Sequence, residues 1–345
     1  MKKIVSFILS LAFAGSTLAQ MSGYSSSSYS EGTALGSNET LTADGIALGN
    51  AVKLRGYIDT RLSHVDTDGN ASNPTDISAA ADIDFLIDLS PVTAELHLDL
   101  SESNDSQLLE QAFGRYSFNQ DLHLTFGRQL TVLGYEGDES TQLFAVTRAF
   151  DGIEFNHDDF PVSHPGKNYV DGVRLGYNNG MFGLIFGLHD RYTGIDNDDS
   201  LDDGMAIDLA ASIMFFPGLE AQLGFVNESG DSGDDDTQVV NGWIEWNPGD
   251  LTLAFEFDTI SHHDVDVSDI MLLANYRFAD FFAASLRYAY INADFKGGPD
   301  VDANRITLAA LLSITQNFDV NFEYSHTAQD NADKDEFYVQ GLITY

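Results

Sequence analysis

Apolar and polar residues alternate along most of the chain, in runs of about ten residues that begin near position 52 and continue to the end. In the second run, apolar residues occupy every other position and aspartates stand between them: Asp82, Asp84 and Asp88. A period of two places the two kinds of residue on opposite faces of a β-strand. Sixteen such runs can be delimited, which predicts an all-β fold of about sixteen strands.

The links between the runs alternate in length. Short links rich in Asn, Gly, Pro or Asp, such as Asn178-Asn179-Gly180, are typical of tight hairpin turns. Longer acidic links stand between them. In an up-and-down barrel this order places short turns at one rim and long loops at the other, with both chain ends at the short-turn rim.

The apolar rows carry almost no charge, whereas the opposite rows carry Arg, Asp, Glu, Asn and Ser. A close-packed core could not pair so many polar groups, but a water-filled lumen does not need to. The last run, 335–345, shows the same alternation and is expected to pair with an early strand, because unpaired backbone groups are costly in hydrocarbon. Residues 52–345 are therefore predicted to form a transmembrane antiparallel β-barrel with short periplasmic turns and long extracellular loops.

Composition excludes several other classes of protein. The net charge is −38, from 54 acidic and 16 basic residues, which argues against nucleic acid as a partner. The hydrophobic fraction of 43%, with 24 Phe and 14 Tyr, is too high for a disordered chain. The absence of cysteine excludes disulfides, thiolate metal sites and a cysteine nucleophile.

The N-terminal segment has the features of a signal peptide. Two lysines precede a short apolar stretch, and Thr17-Leu18-Ala19 supplies small residues where cleavage is expected, so residues 1–19 are predicted to direct export and then be removed. Residues 20–51 are rich in Ser and Gly and are interpreted as a flexible periplasmic leader, with a segment inside the lumen as the alternative. The predicted location is the outer membrane.

One short motif resembles a known family. Phe126-Gly127-Arg128-Gln129, followed by Gly134-Tyr135-Glu136, is similar to the glycine–basic segment and downstream G-x-E of the OmpL-like β-barrel porins, and the overall plan agrees from about residue 50 onward. This resemblance implies a channel for passive diffusion of small hydrophilic solutes and ions. It also implies a homotrimer, and a third long loop that folds inward as a constriction. That loop is 131–167, the longest link in the chain.

If the loop enters the lumen, its acids are expected to face arginines on the polar rows and to create a transverse field at the constriction. The alternative is that each arginine pairs with an acid on a neighbouring strand and stiffens the wall. The loop candidates are Glu136, Asp138, Glu139, Arg148 and Asp151. The candidate pore-lining residues are Arg55, Arg61, Arg115, Arg174, Arg277, Arg287, Arg305, Asp82, Asp84 and Asp88.

Other clusters of potential ligands do not have the spacing of a dedicated site. The segment Asp66–Asn70 resembles half of a calcium loop, but Ile77 stands where a bidentate Glu is needed. The acidic loops are therefore interpreted as solvated, or as bridged by divalent cations to lipopolysaccharide. His262-His263-Asp264 has no second histidine pair nearby in the sequence. We predict no cofactor, no metal and no enzymatic activity.

The sequence thus predicts an outer-membrane porin that contacts lipid and lipopolysaccharide and prefers cations, because its mouth is acidic. Two alternatives stay open. A channel specific for oligosaccharides would show an aromatic track along the lumen, for which Phe113, Trp243 and Tyr338 are the candidates. A barrel sealed by its loop would serve as an adhesin or an envelope anchor.

Overall fold

A computed structural model describes residues 35, 38, 40, 44–69, 73–100, 109–151, 153, 168–193, 204–229, 236–329 and 333–345. The described residues form strands and one 3₁₀ turn, Ser140–Gln142. The strands are β1 (Ile46–Ala47), β2 (Val52–Thr67), β3 (Thr75–Leu89), β4 (Val92–Asp99), β5 (Leu109–Ser117), β6 (Leu122–Leu130), β7 (Tyr169–Asn178), β8 (Phe182–His189), β9 (Met205–Phe216), β10 (Leu219–Ser229), β11 (Thr237–Trp246), β12 (Leu251–Ser261), β13 (Val265–Ala279), β14 (Phe282–Phe295), β15 (Val301–Thr315), β16 (Phe318–Gln329) and β17 (Lys334–Thr344).

Strands β2 to β17 form a closed antiparallel barrel of sixteen strands. Each strand pairs with its neighbours in the sequence, and β17 returns to pair with β2, with Gly341 opposite Thr60. The ladder continues to the last residue, because Tyr345 and Gly56 exchange two backbone hydrogen bonds of 3.0 Å. The predicted fold and closure are confirmed. Strand β1 is a short addition, with Ile46 opposite Leu54 at the start of β2.

Burial alternates along the strands as the hydrophobic pattern predicted. Outward apolar residues are exposed, as in Leu308 with 52% of its surface accessible, whereas the inward carboxylate residue Asp208 is fully buried. This is the reverse of a soluble protein and is expected where lipid is the solvent. Exposed aromatic residues also cluster beside the short turns: Tyr116, Phe118, Phe215, Phe216, Trp246, Tyr276, Phe278 and Phe281. None of the helical structure in the described ranges is long and apolar enough to cross a membrane.

Several strands extend beyond their apolar stretch, so some long links are shorter than predicted. The sequence predicted links over 63–77, 261–267 and 294–302, whereas β12 and β13 are joined by residues 262–264 alone and β14 and β15 by residues 296–300. Most of the added residues that face outward are polar, as in the opposed pair Ser261 and Asp266. Backbone pairing continues past the hydrocarbon layer, where side chains no longer need to be apolar.

Candidate functional site

The chain leaves the wall for the lumen after β6, between the two glycines of the sequence motif, of which Gly127 lies within β6 and Gly134 follows it. Gly127 has a φ of 121° and Gly134 a φ of 94°, which are left-handed conformations that favour glycine. A Cβ atom on Gly127 would lie 2.4 Å from the carbonyl oxygen of Ala112 on the neighbouring strand. Arg128 shares the strand parity of the exposed Phe126, which places it on the outer face, and it pairs with Asp171 at 3.1 Å.

Replacing Gly127 with alanine is expected to destabilise the barrel by more than about 1 kcal/mol, because the new side chain combines a strained φ with a backbone clash. The measurement is urea unfolding in detergent micelles, followed by the loss of the fast-migrating folded band on unheated gels. Gly341→Ala on β17 is the matched control, since its Cβ would meet only Phe318, at 3.7 Å. Equal losses in the two variants would contradict the assigned strain.

Residues 134–136 cross the lumen and bind the opposite wall. The Tyr135 backbone N–H donates to Glu256 Oε1 on β12 at 2.6 Å, and the Tyr135 hydroxyl donates to Glu245 on β11 at 2.6 Å. The Tyr135 ring packs edge-on against Trp243, with 5.6 Å between centroids. Glu136 accepts a hydrogen bond from Arg287 on β14. Because β14 lies eight strands from β6 in a ring of sixteen, the loop spans the barrel.

A second segment of the loop is held by Glu323 on β16. Its carboxylate accepts the backbone N–H groups of Val146 at 2.7 Å and Thr147 at 2.9 Å, and also the Thr147 hydroxyl. Arg287 binds the Thr147 carbonyl at 2.7 Å and the Arg148 carbonyl at 3.0 Å. These buried, charge-assisted bonds fix the position of the loop.

The loop also reaches β2, on the third side of the lumen. Ser140 Oγ donates to Asp59 at 2.7 Å and accepts from Arg61 at 2.7 Å. The Tyr57 hydroxyl is hydrogen-bonded to Glu139. The loop therefore subdivides the lumen instead of lying along one wall.

Apolar residues of the loop also pack against the inner wall of the barrel. Phe144 and Ala149 pack against inward residues of β12 to β14, and Ala145 packs against those of β14 and β15. These inward positions are apolar because the loop, and not water, occupies the space beside them. The wall residues in these contacts are Ala254, Met271, Leu273, Ala283, Ala289, Ala309 and Leu311.

The predicted opposition of loop acids and wall arginines holds at Glu136 and Arg287. Asp138 instead pairs with Arg148 of the same loop at 2.7 Å, and Asp151 lies 3.5 Å from Arg148. Burial acts to raise the pKa of Asp151, but Arg148 holds it below its usual range through its charge and its backbone N–H. Most wall groups that bind the loop are acids that accept hydrogen bonds from its N–H or O–H groups.

Most of the predicted wall arginines pair with acids on their own or nearby strands, which was the alternative. Arg55 binds Asp84 at 2.7 Å, and Arg61 binds Asp59 at 2.6 Å. Charged groups lie farther apart in two cases, 3.9 Å for Arg115 and Glu95 and 3.6 Å for Arg174 and Asp208. Arg305 pairs with Glu336 and lies 3.6 Å from Glu323. These pairs leave Arg287 as the main basic anchor of the loop.

Two predicted pore-lining residues lie at the short-turn rim, away from the constriction. Asp88 accepts hydrogen bonds from the backbone and hydroxyl of Ser90 in the turn after β3. Arg277 binds Asp250, at 2.7 Å, in the turn before β12. Both positions follow the inward parity of their strands, but parity does not give the height of a residue along the barrel.

The leader enters the lumen at its described positions. The Asn38 side chain donates to Thr93 and Ser117, both at 3.2 Å, and accepts from Arg115 at 2.8 Å. The Thr40 hydroxyl donates to Glu95. Leu35 is buried in a cluster that includes Ile185 and Leu133 of the loop. These contacts favour the lumenal alternative over a wholly flexible leader.

The candidate residues for an aromatic track and for a metal site lie in different parts of the barrel. Phe113, Trp243 and Tyr338 lie on β5, β11 and β17, which are far apart around the barrel and form no continuous aromatic track. His262, His263 and Asp264 bring their ligand atoms together at the long-loop rim. The acidic residues at 196–199 and 234–235, which belong to two of the acidic links, lie outside the described residues, as does Asn70.

Three acids that hold the loop were not predicted from the sequence: Glu245, Glu256 and Glu323. Each has inward parity, and Glu256 stands between two phenylalanines. Because its two neighbours face lipid, this acid has to face the lumen, and that pattern could have marked it as a residue that binds the loop.

Comparison with known proteins agrees with this geometry. The family model described as "Putative beta-barrel porin-2, OmpL-like" matches residues 67–342. The chain belongs to this porin family. As a member, it is an outer-membrane channel protein. No curated protein matches the sequence.

Solved porins share the barrel at low identity. The anion-selective porin from Comamonas acidovorans is 14% identical with a TM-score of 0.62, over 86% of this chain and 99% of that chain. The channel DcaP of Acinetobacter baumannii is 12% identical with a TM-score of 0.62, over 88% and 100%. A trimer form of OmpT from Vibrio cholerae is 13% identical with a TM-score of 0.58, over 86% and 100%. These similarities extend to the fold alone.

Proposed function

We propose that this porin conducts small hydrophilic solutes and ions by passive diffusion and prefers cations. The observation that carries the proposal is the loop that crosses the closed barrel and is fixed on several walls by buried polar contacts. A fixed partition in a polar lumen limits solute size without moving parts or an energy source.

The preference for cations is supported by the charges that line the lumen. Acidic side chains strongly outnumber basic ones among the buried residues. Fixed negative charge in a low-dielectric channel raises the local concentration of cations. Among the described residues, the buried arginines are Arg174, Arg287 and Arg305, and the buried acids are Asp59, Asp82, Asp84, Glu95, Glu139, Asp208, Glu228, Glu256, Asp258, Asp269, Glu323 and Glu336.

The test is single-channel recording in planar lipid bilayers with a salt gradient across the membrane. We expect steady steps and a reversal potential whose sign shows cation preference. The preference should weaken in 1 M salt, because the Debye length falls from about 10 Å at 0.1 M to about 3 Å at 1 M. Protein that migrates as a folded band before heating is the starting material.

The alternative functions give different recordings. Anion preference would contradict the charge argument while leaving the channel in place. Steps that added oligosaccharides block would point to a substrate-specific channel. Folded protein that gives no steps would contradict a porin and support a sealed barrel.

Two further parts of the proposal concern assembly and export. We propose a homotrimer, as the trimer form of OmpT suggests for a barrel of this fold. Light scattering of the detergent-solubilised protein gives the number of chains per particle.

We also propose that residues 1–19 are removed on export. The mass of the protein purified from outer membranes tests this directly.

A further inference from the structure

A group of three carboxylates lies where the loop meets the wall of β3 and β5. Asp82 of β3, Glu110 of β5 and Glu139 of the loop each place an oxygen within 4.8 Å of the others'. Asp82 has 2% of its surface exposed. The three side chains come from sequence positions far apart, so only the inward fold of the loop brings them together.

Two members of this group, Asp82 and Glu110, have no basic residue paired with them in the described part of the chain. Arg55 and His97 lie nearby, but both bind Asp84, at 2.7 and 2.9 Å. Within the described part of the chain, Asp82 and Glu110 take part in no ion pair within 4.0 Å. Two of their oxygens, Asp82 Oδ2 and Glu110 Oε2, are buried and lack a hydrogen-bond partner.

Buried carboxylates in contact with each other require something positive between them. A buried anion without a partner costs several kcal/mol, and two close carboxylates also repel. A shared proton or a bound cation can relieve this cost. A cation uses all three groups at once, including the loop carboxylate, whereas a proton bridges two oxygens.

The geometry points to a calcium site formed by Asp82, Glu110 and Glu139, which joins the constriction loop to the barrel wall. Carboxylate oxygens are the ligands of hard cations. Calcium binds oxygen at about 2.3–2.6 Å, so ligands on opposite sides of the ion lie up to roughly 5 Å apart. The three carboxylate oxygens lie within 4.8 Å of one another, which is inside that limit. Magnesium dehydrates reluctantly and is seldom held by protein oxygens alone, so calcium is the better fit to a site of three carboxylates.

This inference goes beyond the proposed channel function and does not depend on it. The experiment is calorimetric titration of calcium chloride into the full-length protein, refolded in detergent without lipopolysaccharide and treated with a chelator. We expect one calcium site per chain, weaker binding of magnesium, and a higher unfolding temperature in calcium, since a ligand that binds only the folded state stabilises it.

Variants assign the binding to these residues. Asp82→Asn and Glu139→Gln are each expected to weaken calcium binding by at least about tenfold, because loss of even an outer-shell group costs about 10–100-fold. Asp88→Asn is the matched control, since it is an inward aspartate of the same strand that lies in the exposed turn at Ser90. It should bind calcium as the unsubstituted protein does.

Two results would overturn the inference. The first is folded protein that binds no calcium. The second is calcium binding that is unchanged in both Asp82→Asn and Glu139→Gln, which would place the ion in the acidic outer loops. If the folded protein binds no calcium and Asp82→Asn raises its unfolding temperature, a shared proton joins the carboxylates instead.

Discussion

Arg287→Ala is expected to lower the free energy of unfolding by about 3–5 kcal/mol, the usual cost of removing one partner of a buried ion pair. Arg287 is 1% exposed and binds Glu136 and two carbonyl oxygens of the loop. Without it, these acceptors stay buried and lose their donor. The loop should also move more, so open-channel current noise should rise. Urea unfolding and single-channel recording measure the two effects.

Arg277→Ala provides the control for this substitution. The same change is made on an inward-facing arginine, but Arg277 and Asp250 are partly exposed at the rim, with 30% and 59% of their side-chain surfaces accessible. Such pairs contribute about 0.2–1 kcal/mol. A loss of similar size in both variants, or unchanged noise in Arg287→Ala, would show that Arg287 does not anchor the loop.

Removal of residues 21–44, with the signal peptide retained, is expected to increase the step conductance. Asn38 and Thr40 are bound to the inner wall near the short-turn rim, and Leu35 is buried beside the loop. The space they fill becomes available to water and ions when they are absent. Single-channel steps of the shortened and full-length proteins in the same salt give the comparison.

A shorter deletion separates the docked residues from the rest of the leader. A variant that lacks residues 21–34 keeps Leu35, Asn38 and Thr40, and its conductance should equal that of the full chain. An equal increase in both variants would assign the obstruction to residues before 35. No increase in either would show that the docked residues do not narrow the path.

The strands could be predicted because their signals are local. Period-two alternation and turn residues gave all sixteen barrel strands, and the inward or outward side of residues such as Arg128 and Tyr338 followed from parity. The motif around Gly127 and Gly134 lies at the start of the loop that crosses the lumen. Strand ends were less accurate, since backbone pairing continues into polar residues where the hydrophobic pattern has stopped.

The contacts of the lumen could not be predicted in the same way. Glu323 holds the loop through backbone N–H groups, which every residue carries and which leave no mark in the sequence. The height of Asp88 and Arg277 along the barrel depends on strand tilt and register. The Ser- and Gly-rich composition of the leader gave no indication that Leu35 has a buried place between the wall and the loop.

The sequence by itself determined that this chain forms a closed membrane barrel with lipid outside and charge inside, because each strand's pattern records the two solvents that it faces. The tertiary structure decided how that interior is used. It brought Glu136 to Arg287 across the lumen, and Glu139 to Asp82 and Glu110. Such contacts depend on the curvature of the whole sheet and on a loop without periodicity, so no local pattern specifies them.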